Sequence, residues 1–206
     1  MTSPVPSPLS PIERLRLSVE RTRVATADRE PTGIGHDDAD DEQGTFATDG
    51  ALGFDPFPLL RALSRHGVRA AAIGQVAGIL HGSQELTGDL DLLWSGDPAE
   101  APALLAALRE VDARLTDDDG KPLPLDLPSL ERPKVQFNTA CAGGDLCTPA
   151  LPWGGLDVSA FLDRAAAARD GDLTVRYLDR ADLVAMRLAV GRPKDLRRAA
   201  ELTALP

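Results

Sequence analysis

In the stretch "GDLDLLW", Asp89 and Asp91 flank one leucine inside an otherwise apolar run. On an extended backbone, side chains alternate between faces, so the two carboxylates share a face and Leu90 and Leu92 take the other. Their Cα atoms would lie roughly 6.5 Å apart. Like charges at that spacing repel unless a cation sits between them. A hard divalent cation such as Mg²⁺ relieves the repulsion and takes oxygen ligands, commonly one or two carboxylates completed by phosphate oxygens. Upstream, Gly74 ends an apolar run and opens a helix, whose N-terminal N–H groups favour phosphate. Gly82 and Ser83 supply a second tight, hydroxyl-bearing turn before Thr87 and Gly88. Phosphate-binding backbone beside an acid pair suits phosphoryl or nucleotidyl transfer. The plainer alternative is an aspartate that caps a turn after "TG", and spacing alone leaves both open.

The elements around these residues read as alternating strands and helices. "FDPFPLLRALSRHG" is a helix capped by Asp55, with Pro56 at its first position and Gly67 as its stop. "VRAAAIG" is a buried strand, "QVAGILHG" a short helix and "DLDLLW" a strand. "APALLAALREVDARL" carries Leu104, Leu105, Leu108 and Val111 on one helical side. "TDDDGKPLPLDLPSLERP" reads as a loop by composition. "KVQFNT" and "GDLCT" read as partnered strands, and "LTVRYL" as a further one. "RADLVAMRLAV" is a helix capped by Asp179 and ended by Gly191, and Pro193 opens the last helix. This order predicts an α/β or α+β domain with a mixed sheet.

Residues 1–50 differ in composition and are expected to form a disordered or loosely helical N-terminal arm ahead of a 51–206 domain. Within the arm, Ser10, Pro11 and Glu13 have the pattern of a capping box. Ile12, Leu15 and Val19 give that helix a thin apolar stripe. The cluster "HDDADDE" reads as a solvated acidic linker, because no apolar frame holds its carboxylates still.

Composition narrows the classes further. Aromatics are only 4% of the chain, so the core must be built from Leu, Ala and Val. A net charge of −10 argues against binding nucleic acid through bulk electrostatics and leaves a local basic groove open. Cys141 and Cys147 have no second pair and no nearby His, which argues against zinc and fits a reducing compartment. No apolar run is long enough to cross a membrane and the start lacks a signal-peptide layout, so the expected location is cytoplasmic.

"IGQVAGILHGSQELTGDLDLLW" resembles the signature of the nucleotidyltransferase superfamily, a Gly-Gly or Gly-Ser turn followed by Asp-hydrophobic-Asp. It is most similar to the nucleotidyltransferases found as toxins of bacterial toxin–antitoxin pairs, the AbiEii/MenT-like group. Ile73, Gly74, Ala77, His81, Gly82, Ser83, Thr87, Asp89 and Asp91 match that pattern. "LDRADLVAMRLAVGRPKDLRRAAEL" is similar to the family's closing segment, and the likeness spans about residues 52 to 205. It implies a nucleotidyltransferase fold, a small mixed sheet flanked by helices. It implies Mg²⁺ on Asp89 and Asp91, bridging a nucleoside triphosphate whose phosphates lie near Gly74, Gln75, Gly82 and Ser83. Arg187, Arg192 and Lys194 would face those phosphates, and pyrophosphate would leave. The acceptor would be a hydroxyl, with tRNA the candidate that the toxin branch suggests, and a cognate antitoxin protein would be a partner. Four positions depart from the pattern. Gln75 replaces Gly or Ser, Glu85 stands where a basic residue is common, Arg187 replaces Lys, and Cys147 occupies the place of a third carboxylate. Asp145, two residues earlier on the same strand face, is the candidate substitute, with Asp157 the other. If neither serves, the chain is a non-catalytic nucleotide- or protein-binding module that keeps the fold.

Overall fold

The computed structural model describes residues 8–35 and 39–206. Part of the acidic cluster, residues 36–38, and the first seven residues lie outside that range. The described chain is a mixed α/β structure, with an eight-stranded, mostly antiparallel sheet flanked by helices.

The first helix, α1 (Pro11–Ala25), starts where the capping pattern requires. Ser10 Oγ accepts from the Glu13 N–H at 3.4 Å, and Glu13 Oε2 accepts from the Ser10 N–H at 2.7 Å. Ile12 and Leu15 are fully buried in the common core. Burying each contributes roughly 1.5–3 kcal/mol. The expectation for residues 1–50 therefore holds in its helix and differs in its docking. The apolar stripe that would leave an isolated helix marginal is used against α3 (Gly74–His81). Two further turns, Thr45–Ala47 and Asp49–Ala51, follow before α2 (Phe57–Arg65).

Strand β1 (Ala70–Ala72) lies between β2 (Leu92–Trp94), antiparallel to it, and β8 (Leu173–Tyr177), parallel to it. On the other side of β2 comes β6 (Gly143–Cys147), in parallel, and then β5 (Lys134–Asn138), β3 (Arg114–Thr116) and β4 (Pro122–Leu123). Strand β7 (Ala166–Asp170) closes the far edge against β8. Helix α4 (Ala101–Glu110) packs with α2, and the short α5 (Leu127–Leu130) with α4. The four-residue α6 (Phe161–Arg164) leads into β7.

At the C-terminus, Asp179 Oδ1 accepts from the Ala181 N–H at 2.9 Å and starts α7 (Arg180–Val190). Gly191 ends it in the left-handed region, φ 72°, where glycine carries no Cβ penalty. Pro193 then opens α8 (Pro193–Ala204). Helices α3, α7 and α8 pack together beside the end of β1. No helix among the described residues is long and apolar enough to cross a membrane.

Candidate active site

The acid pair lies just before β2 and not on it, which corrects the strand expected over "DLDLLW". The reason is local pairing. The Leu90 N–H donates to Gly143 O at 2.9 Å, on the β6 side, while Asp91 O accepts from the Ile73 N–H at 2.9 Å, after β1. The backbone is stitched to both neighbours, but a regular ladder begins only at Leu92. Asp89 and Asp91 nevertheless line one cleft of ≈ 480 Å³, as a shared face requires.

Each carboxylate is held differently. Asp89 is 7% exposed. Its Oδ1 accepts from Thr87 Oγ1 at 2.5 Å and from Thr45 Oγ1 at 2.7 Å. Asp91 Oδ1 accepts from the Asp145 backbone N–H at 3.2 Å. Gly74 lies directly against the Asp91 carboxylate, where any Cβ would collide with it, and its φ is +59°. Both the space and the backbone conformation call for glycine there.

Asp145 faces the same cleft from β6, where it pairs across to Gln136 on β5. Cys147, two residues on, shares that face, as expected. Lys134 Nζ lies 2.8 Å from Asp118 and 3.7 Å from Asp145 Oδ2. Burial, reinforced by the nearby charges of Asp145 and Asp91, pushes the Cys147 thiol far up, so it stays protonated and is no nucleophile. Asp157 is exposed and does not line the cleft; its carboxylate caps a turn at the Ser159 N–H, 2.9 Å away.

The basic residues divide into two sets. Arg192 and Lys194 stand at the start of α8 on the cleft. Arg192 is held by Asp195 at 2.6 Å, and that hydrogen bond raises its pKa. Arg187 is buried. Its Nη2 donates to Gly74 O at 2.8 Å and Gln75 Oε1 at 3.0 Å, and its Nη1 to Arg198 O at 3.1 Å. Burial, then the neighbouring Arg198, lowers its pKa to about 10, so it is still a cation near neutral pH. Gln75 is consumed in the same network, donating to Ser83 Oγ at 2.9 Å and Glu85 O at 3.0 Å.

Gly82 and Ser83 do not line the cleft. Gly82 sits near Arg14 and Leu205, and Ser83 Oγ donates to Glu201 on α8 at 2.7 Å. Glu85, expected beside the phosphates, accepts instead from Arg198 Nε at 2.9 Å. His81 donates to Leu178 O at 2.8 Å and meets Tyr177 edge-on. Of the residues named from the sequence, the cleft thus gathers Ile73, Gly74, Gln75, Asp89, Asp91, Asp145, Cys147, Arg187, Arg192 and Lys194. The structure adds Thr45, Asp118, Lys134 and Arg198 to the lining. Lys134 opens the predicted strand "KVQFNT" and faces Cys147 in the hairpin register, a signal present in the sequence. Nothing local marks Thr45.

The described residues contain no group of three or more His, Cys, Asp or Glu side chains placed to hold a metal ion. A two-carboxylate, all-oxygen set with a protonated thiol nearby still fits a hard cation whose remaining ligands come from substrate phosphate and water. The architecture is therefore a mixed α/β domain with an acid-floored cleft and a cationic wall. No protein-family model matches the chain, and no curated protein is significantly similar to it in sequence.

Proposed function

We propose that the chain is a Mg²⁺-dependent nucleotidyltransferase, moving a nucleoside monophosphate from a nucleoside triphosphate to an acceptor hydroxyl. The observation that carries this reading is the convergence of Asp89, Asp91 and Asp145 on one cleft that Arg192 and Lys194 also line. Asp89 and Asp91 would hold Mg²⁺, which would neutralise phosphate charge and polarise the reacting phosphoryl group. Arg192 and Lys194 would bind the β- and γ-phosphates and stabilise the charge that develops on the leaving pyrophosphate. Leu183, Met186 and Trp153 offer an apolar wall for the base. Asp145 would take the proton from the acceptor hydroxyl as its oxygen bonds to the α-phosphorus and the bond to pyrophosphate breaks. A tRNA acceptor and an antitoxin partner are proposals that follow from the resemblance to the toxin-type family, and a cytoplasmic setting is one that follows from the two free cysteines, which fit a reducing compartment.

The second reading is a nucleotide- or protein-binding module without turnover. It is favoured by the commitment of Gln75 and Arg187 to internal hydrogen bonds, because neither then offers those donors to phosphate.

The test incubates purified protein with Mg²⁺, each α-labelled triphosphate and total tRNA, and resolves the RNA on a denaturing gel. The wild type should label RNA. Asp145→Asn should lower labelling by ~10²–10⁴, the usual worth of general-base assistance, with triphosphate affinity little changed. Wild type that binds triphosphate but labels nothing, with Cys147→Asp equally inert, would leave the binding module standing.

A further inference from the structure

Thr45 is about forty positions before the acid pair in sequence, yet its hydroxyl is on Asp89. Asp89 is nearly sealed from solvent, and a buried carboxylate is costly unless donors satisfy it. Two hydroxyls converge on its Oδ1, Thr87 from its own segment and Thr45 from the N-terminal one. Thr45 Oγ1 also accepts from the Gly88 N–H at 3.3 Å. Two donors on one oxygen fix the rotation of the carboxylate about its Cβ–Cγ bond, and so fix where the other oxygen points.

The contact is built into the backbone. A Cβ on Gly88 would strike Thr45 O and the Ala51 N–H, and a Cβ on Gly50 would strike Gly88 O. The two segments therefore touch main chain to main chain, which only glycine permits at both places. The N-terminal segment is itself braced. Arg29 Nη1 donates to Phe46 O at 2.7 Å, and Arg29 Nη2 donates to Thr48 O. The Asp49 carboxylate accepts from the Thr32 and Gly33 N–H groups at 2.8 and 2.7 Å. The Asp49 N–H closes the loop on Ile34 O at 3.0 Å. A threonine that merely packed against the domain would not need a loop cross-linked on both sides.

We infer that Thr45 is a positioning residue for the metal site. Its hydroxyl sets the orientation in which Asp89 presents its carboxylate to the cation, and within residues 45–51 it is the Thr45 side chain that makes that contact. This inference rests on the proposed Mg²⁺–triphosphate reading. Hydrogen-bond partners of metal ligands typically change metal affinity by 10- to 100-fold when removed.

The experiment measures the Mg²⁺ concentration at half-maximal thermal stabilisation by α,β-methylene triphosphate analogues. Thr45→Val keeps the shape and removes the donor; it should raise that concentration by about 10- to 100-fold. Thr45→Ser restores the donor and should return it to within about threefold of wild type, the residue of a lost methyl contact. Thr48→Val serves as the loop control. It removes a hydrogen bond to Thr45 O, 2.8 Å long, but leaves the hydroxyl on Asp89. It should lower the metal-free melting temperature without moving the Mg²⁺ midpoint. If Thr45→Val fails to fold, Thr45→Cys, with a weaker donor of similar size, should give a smaller shift in the same direction. A Thr45→Val midpoint equal to wild type, or moved no more than that of Thr48→Val, overturns the inference and leaves the functional reading intact. Wild type with no Mg²⁺-dependent stabilisation by any analogue overturns both.

Discussion

On the α3–α7–α8 side of the cleft, Arg187, Gln75, Ser83 and Glu201 bond to one another. On the floor, Asp89, Asp91 and Asp145 bring acidic side chains to the cleft itself. The contrast separates two kinds of motif residue. Arg187 and Arg192 both come from the closing segment that suggested phosphate contact, yet Arg187 is buried and holds three acceptors, while the Arg192 side chain is 58% exposed. A shared spacing on a helix–turn–helix segment does not give a shared role. Burial sorts them, because a buried guanidinium must satisfy its donors within the protein.

The largest effect should come from exchanging the two arginines for methionine. Arg187→Met leaves Gly74 O, Gln75 Oε1 and Arg198 O short of a donor. It should cost about 3 kcal/mol, the scale of one or two unsatisfied buried acceptors, and lower the melting temperature by roughly 6–12 °C. Arg192→Met is made together with Asp195→Leu, because the Asp195 carboxylate is only 5% exposed and would otherwise be stranded; with both partners replaced, stability should change by less than about 1 kcal/mol. The double variant should weaken triphosphate binding about tenfold, the worth of one hydrogen bond to a charged group. Thermal melts and titration calorimetry on both variants check this. Equal stability losses would dissolve the distinction between the two regions.

A smaller effect should come from pH. Burial lowers the pKa of His81 below 6.5, outweighing its hydrogen bond to Leu178 O. The unfolded chain therefore binds more protons at this site between the folded value and 6.5. Stability from this residue is intact above 6.5 and declines as pH falls through that window. His81→Gln can still donate to Leu178 O, so it should lose less stability than wild type between pH 7 and 5.5, read by urea unfolding. Parallel loss in both proteins would place the acid sensitivity elsewhere.

The helix ends were the most legible part of the sequence. Ser10, Glu13, Asp179, Gly191 and Pro193 act at the ends of their own helices, so local spacing is enough to read them. Strands β3, β4 and β7 carry no comparable local signal. "AAARD" carries no β-branched residue and is ordered by its pairing with β8, and β3 follows directly on a helical pattern. At the site, the i, i+2 spacing of Asp89 and Asp91 marks the acid pair although no ladder forms there, and Asp145 is singled out only through the family resemblance together with its place on the strand that became β6. Thr45 and the Lys134–Asp118–Asp145 group were not legible, because their meeting depends on how distant segments pack.

Titration of Mg²⁺ with α,β-methylene triphosphates into wild type and Asp91→Asn addresses the metal–triphosphate site most directly. Wild type should bind at least one analogue only when Mg²⁺ is present, and Asp91→Asn should lose that dependence while remaining folded without metal. Binding by wild type that is indifferent to Mg²⁺, or an Asp91→Asn protein that binds as wild type does, would contradict a metal–triphosphate site built on the acid pair.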